Sequence, residues 1–204
     1  MPTKSWVAIV SGQFMSNITA LILVHQLLFQ GMFFAKNFSL KRKLGKPIRG
    51  FNPEANLSIA FFVCFIGLSF YLAMSREGPG TVAWLPLNTA LAIGVLLMLA
   101  NLVIGLASLQ DLGDSWRVGV IEEQQTQLID SGIYRFTRNP YFVAYLLMFA
   151  AYTVLLQNLI LLVLTLVGFG MVHAMILREE KYLAKTHGEA YQQYRQRVPR
   201  YILI

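Results

Sequence analysis

The sequence predicts an all-α integral membrane protein of about five transmembrane helices, with a polar cytoplasmic rim and a C-terminal amphipathic helix. Three observations predict it. Over 204 residues, 56% are hydrophobic and 13% charged, with a mean hydropathy of +0.54. Charges are absent from four intervals long enough for the about 20 residues that a helix needs to cross a hydrocarbon core. The basic residues, finally, fall on alternate segments between those intervals.

This composition excludes a disordered chain, and seven Pro with fifteen Gly exclude a collagen-like or linker-rich one. A pI near 9.7 raises nucleic acid as a partner, but no basic module of that kind is present, so none is expected. The single cysteine, Cys64, lies in an apolar run and permits neither an intramolecular disulfide nor a cysteine metal site.

The first interval, 5–35, follows Lys4 and continues past the length of a signal-peptide core without a small-x-small site, so it reads as a retained span. It is unusually polar: Ser11, Gln13, Ser16, Asn17, Thr19, His25, Gln26 and Gln30 interrupt it. Polar groups in lipid need partners, so these are expected to hydrogen-bond to neighbouring helices or to lie near the interfaces. The second and third intervals are 55–75 and 78–110. The fourth, 139–177, is too long for one span and holds the polar pair Gln157-Asn158 near its middle, which reads as the turn of a helical hairpin. His25, His173 and His187 share no metal-ligand spacing, and no metal is expected.

Five spans place segments 36–54, 109–140 and 178–204 on one side. These carry fifteen of the seventeen Lys and Arg, among them Lys36, Lys41, Arg42, Lys43, Lys46, Arg49, Arg117, Arg195, Arg197 and Arg200. Lys4 and Arg76 are left for the other side. By the positive-inside rule the first group, including the C-terminus, is cytoplasmic and the N-terminus outside. The sequence thus divides into residues 1–108, three helices with a basic loop, and residues 109–204, a loop, a two-helix hairpin and an amphipathic tail.

Polar chemistry concentrates on the cytoplasmic side. The run Gly132-Ile-Tyr134-Arg135-Phe-Thr-Arg138-Asn139-Pro140-Tyr141 leads into the fourth span, and Arg178-Glu179-Glu180 ends the fifth. Pro140 suits the first turn of a helix, where its missing N–H is no loss. The hairpin should bring Arg138, Asn139 and Tyr141 close to Glu179 and Glu180. Two cations, two anions, an amide and phenols could hold a zwitterionic ligand. The same residues also suit interfacial anchoring, with the arginines as topology signals and the tyrosines as an aromatic belt.

The order of the motifs carries a resemblance. Leu112-Gly-x-x-Trp116, Leu128-Ile-x-x-Gly132-x-Tyr-Arg-x-x-Arg-Asn-Pro-x-Tyr141, two spans, Arg178-Glu-Glu-x-x-Leu183, Gly188-x-x-Tyr191-x-x-Tyr194 and Val198-Pro-Arg200 together resemble the isoprenylcysteine carboxyl methyltransferase and phospholipid methyltransferase superfamily. The resemblance covers roughly residues 109–201. It implies an integral membrane enzyme that uses S-adenosylmethionine at its cytoplasmic rim without a Rossmann domain, and no glycine-rich dinucleotide fingerprint is present.

Carried over, it implies that Tyr134, Arg138, Asn139 and Tyr141 shape the cofactor pocket together with Glu179 and Glu180. Arg178, Arg135, Glu179 and Glu180 are the candidate catalytic residues. For an anionic acceptor, Arg178 or Arg135 would hold the nucleophile; for an amine, Glu179 or Glu180 would take the proton. The usual Arg-His-Pro is Arg-Asn-Pro here, so Asn139 can position a partner but not titrate.

The expected partners are the bilayer and a lipophilic small-molecule or lipidated substrate, with a prenylcysteine carboxylate, a lipid amine or a thiol as acceptor. Two alternatives share the architecture: a nicotinamide-dependent membrane sterol or steroid reductase, and an inactive scaffold. The tail from Lys181 onward, with Tyr182, Leu183, Tyr191, Tyr194 and Val198 set among basic residues, reads as a helix that lies on anionic lipid, covers the cofactor, or does both.

Overall fold

In the computed structural model, residues 4–45, 53–75, 78–117 and 127–202 are described. Five α-helices account for most of them: α1 Lys4–Leu44, α2 Pro53–Met74, α3 Leu87–Leu112, α4 Pro140–Leu156 and α5 Leu159–Arg197. Short 3-10 turns cover Gly113–Ser115 and Gly132–Arg135. Among the described residues the sole β pairing is an isolated bridge between Thr81 and Asn158. Lys46, Arg49 and Arg76, counted above toward sidedness, lie outside the described residues.

α1, α2, α3 and α5 are long and apolar enough to cross a membrane. α4 has 17 residues, about 25 Å of rise. With its partner α5 it forms the expected hairpin, so five apolar helices are present. The turn falls where the polar pair predicted it. Gln157 takes a left-handed conformation at φ 46°, and the Asn158 side chain accepts hydrogen bonds from the Ile160 and Leu161 N–H groups. Asn158 also donates to the Pro79 carbonyl at 2.9 Å, tying the hairpin to the α2–α3 loop. Replacing this buried cap, Asn158→Ala, is expected to cost about 2 kcal/mol, read as a lower thermal midpoint in detergent.

α3 packs against α4 along Ala90, Gly94, Met98, Asn101, Gly105 and Ser108, a face made mostly of small residues. A Cβ on Gly94 would stand 3.1 Å from Leu155 Cβ, and one on Gly105 would stand 3.7 Å from Ala144 Cβ. Small residues let helix backbones approach where no hydrophobic gain drives association.

The polar residues of α1 find partners as expected. Gln26 donates to the Tyr152 phenol at 2.6 Å, His25 Nδ1 meets the same phenol at 2.8 Å, Thr19 donates to the Ala73 carbonyl, and Gln30 donates to Gln26. Asn101 of α3 donates to the Ala144 carbonyl at 2.6 Å. These bonds link α1, α3 and α4 inside the bundle, where no water competes. The side chains of Ser11, Gln13 and Ser16 lie outside the described set.

The C-terminal ends of α1, α3 and α5 meet the N-terminal end of α4 at one face of the bundle. Lys43 of α1 pairs with Asp114 after α3, and Trp116 donates to Asn37 of α1 at 2.7 Å. The polar segments that the sequence assigned to a common side are therefore neighbours.

Candidate functional site

Pro140 occupies the first turn of α4, so the residues just before it leave the helix and face α5. Arg138 donates to Glu180 Oε1 from Nε at 3.2 Å and from Nη2 at 3.0 Å, and Asn139 Nδ2 donates to the same oxygen at 3.2 Å. Arg200 completes the set, donating from Nε at 3.1 Å to Oε1 and from Nη2 at 2.9 Å to Oε2. The Arg138 and Glu180 side chains are each 8% exposed. Burial opposes ionisation of Glu180, but the guanidinium groups of Arg200 and Arg138 outweigh it and hold the carboxyl below its usual range.

Glu179 differs although it is the adjacent residue. Successive residues of a helix diverge by about 100°, and no hydrogen bond or ion pair among the described residues reaches its carboxylate. It is exposed although closely surrounded by protein atoms. Burial there, with the Glu180 charge beside it, raises its carboxyl to about 7. The phenols of Tyr134 and Tyr141 lie within its electrostatic reach.

An aromatic cluster extends inward from Tyr141. Tyr141 stands 4.6 Å from Trp116, 5.1 Å from Phe33 and 5.1 Å from Tyr145, ring centre to ring centre. Tyr134 is fixed from two directions. Its carbonyl accepts from Tyr194 at 2.7 Å, and its turn is anchored by Asp111 Oδ2, which accepts from the Ile133 N–H at 2.6 Å. Gly132 at φ 59° makes that approach possible, since a Cβ there would stand 2.0 Å from Asp111 Oδ2. Gly132→Ala is expected to lower the thermal midpoint, by about 1–2 kcal/mol for the left-handed backbone alone, with a further contribution from the displaced Asp111.

Sequence reasoning assembled most of these residues. Arg138, Asn139 and Glu180 make direct contact, and Tyr134 and Tyr141 lie near Glu179. Arg135 is exposed and stacks 4.8 Å over Phe136, outside the Glu180 cluster, and Arg178 is exposed on α5. Asp111 and Arg200 were missed as site residues, and the Val198-Pro-Arg200 motif was the available signal for the second. The tail turns at Gly188, φ 54°. Its apolar side, Tyr191, Tyr194 and Val198, is buried against Leu128, Leu183 and Ala184, so this face meets protein.

Residues 89–190 match the sequence model of a family described as phospholipid methyltransferase. No curated protein matches the chain. Among solved structures, the chain is similar to the eukaryotic intramembrane Ras methyltransferase ICMT, isoprenylcysteine carboxyl methyltransferase. The TM-score is 0.54 at 15% identity, covering 100% of this chain and 88% of that one. At that identity the likeness bears on the fold.

Proposed function

Because the chain belongs to the phospholipid methyltransferase family, and family and fold together support a membrane methyltransferase, we propose that it methylates an amine on an amphiphilic or hydrophobic molecule, with S-adenosylmethionine as donor. The observation that carries this reading is Glu179, a carboxylate near the Tyr134 and Tyr141 phenols with no hydrogen bond or ion pair to any described residue; the space these three residues border is read as the ligand recess.

Such a recess favours a cation: the negative charge of Glu179 and the π system of the neighbouring Tyr141 act in the same sense. The sulfonium and ammonium of S-adenosylmethionine fit that donor set, as does the ammonium form of an amine acceptor. An anionic acceptor fits it less well. Arg138 and Arg200 are both engaged by Glu180, Arg135 stacks on Phe136, and Arg178, one residue before Glu179, points about 100° away from it around the helix.

The bound cofactor would supply an electrophilic methyl group. The protein's own residues do the rest. Glu179 accepts the proton that the acceptor ammonium must lose, which its carboxyl near 7 suits. The Tyr134 and Tyr141 phenols orient the polar end of the ligand, while Trp116, Phe33 and Tyr145 exclude water and help hold donor and acceptor in line. Asn139 positions Glu180 and takes no proton. The positive-inside asymmetry supports a cytoplasmic rim and an N-terminus outside. A polar cofactor would then reach the recess from the cytoplasm, and a lipophilic acceptor from the bilayer.

The test is transfer of labelled methyl from S-adenosylmethionine, by protein in nanodiscs, into an amine-bearing amphiphile and its carboxylate and thiol counterparts. Labelling of the amine, with saturable binding of the demethylated cofactor and no competition by NADPH, is expected. Labelling of the carboxylate alone would sink the amine reading, and absence of cofactor binding would sink the whole.

A further inference from the structure

Residues 198–201 cross the open end of the α4–α5 hairpin as a strap. The Arg138 N–H donates to the Pro199 carbonyl at 2.9 Å. The Thr137 hydroxyl donates to the Arg200 carbonyl at 2.8 Å, and Asn139 Nδ2 donates to it at 3.2 Å. Beyond the strap, the Tyr201 phenol meets His173 Nδ1 at 2.7 Å, lower on α5. Residues 137–139 and residues 199–200 are thus stitched together, and the one acidic group at the centre is Glu180.

This arrangement separates two adjacent carboxylates. Helix rotation turns Glu179 away from Glu180, and Arg138 and Asn139 take one oxygen of Glu180. From the strap, Arg200 holds Glu180 with a guanidinium that contacts both of its oxygens. We propose that Arg200 is a positioning residue: by holding Glu180 in the strap and covering its charge, it leaves Glu179 as the carboxylate that addresses the recess.

The charged and titratable groups facing Glu179 are few. Tyr134 of the 132–135 turn and Tyr141 of α4 are neutral phenols near it, Asp111 of α3 acts on Tyr134 from behind, and Arg178 and Glu180 flank it on α5. Of these, Glu180 is the neighbour that Arg200 controls. Uncovering Glu180 makes Glu179 harder to ionise, and removing its charge makes Glu179 easier to ionise. A role confined to stability would not produce opposite signs.

The activity consequence rests on the methyltransferase reading, so the decisive measurements are independent of turnover. Infrared pH-difference spectra of the full chain in nanodiscs would follow the Glu179 carboxyl band, identified by its loss in Glu179→Gln. Arg200→Gln is expected to raise the titration midpoint by about half a pH unit, Glu180→Gln to lower it by a similar amount, and Arg200→Lys to leave it near the parent value. Trypsin cleavage after the exposed Arg197, followed by intact mass, reports strap release. It is expected to be roughly tenfold faster in Arg200→Gln and close to the parent rate in Arg200→Lys. If Arg200→Gln moves only one of these two readings, or neither, the proposal is overturned. Should Glu180→Gln not yield folded protein, the two Arg200 variants decide. Failure of the methyltransferase reading itself would show separately, as absent cofactor binding with the strap effects intact.

Discussion

Glu179→Gln is expected to lower methyl transfer by about two to four orders of magnitude, the range that loss of a positioned proton acceptor produces, while the protein keeps its fold. Glutamine preserves shape and removes only the charge and the ability to take a proton. The parent carboxyl near 7 gives the pH dependence its sign. The base form is needed, so activity should fall as pH drops below about 7, and that limb should vanish from the residual activity of the variant. A variant with near-parent activity would make Glu179 a bystander and favour an inactive or differently organised rim. The thermal midpoint should be unchanged or higher, since an enclosed carboxylate without a partner opposes folding when ionised.

Glu180→Ala is expected to have the largest effect on stability. The substitution leaves Arg138, 8% exposed, without its carboxylate, together with Arg200 and the Asn139 amide. Breaking a buried ion pair by removing one partner typically costs about 3–5 kcal/mol, because the remaining charge stays desolvated. The check is the thermal or denaturant midpoint in detergent. The pH dependence of the parent protein follows from the same cluster. Glu180 is held below the ordinary carboxylate range in the folded state, so its contribution is fully present above the unfolded value of roughly 4.3. It is lost as pH falls through the lower folded value. Parent protein should lose stability in that acidic window, and Glu180→Ala should show a shallower loss there.

The two adjacent glutamates are thus expected to separate experimentally, one by rate and one by stability. The sequence could not separate them. In Arg178-Glu179-Glu180 both acids look equally suited to a cofactor ammonium, and their different roles depend on which faces the strap. That is a question of helix rotation and of where a segment twenty residues away returns. Arg200 went unrecognised as a site residue for the same reason: in the chain it is one of several basic tail residues, and its partner is known only once Gly188 has turned the helix. Asp111 is similar, since its role depends on contact with a turn that begins 21 residues later.

The residues that were legible are those whose physics is local or periodic. Long uncharged intervals must be helices in a bilayer, because every backbone N–H and C=O has to be satisfied within the segment. Gln157-Asn158 had to be a turn, because a 39-residue apolar interval exceeds one bilayer and these are its polar, cap-forming residues. Pro140 had to begin a helix, because it lacks an N–H to place inside one. From these follow the hairpin and the meeting of Arg138 and Asn139 with α5. The sequence by itself thus determined the spans, the hairpin and the meeting of Arg138 and Asn139 with α5. Only the tertiary structure decided which charges neutralise one another and which is left facing the recess. Ion pairing is set by distances of a few ångströms between side chains remote in sequence, and no periodicity encodes them.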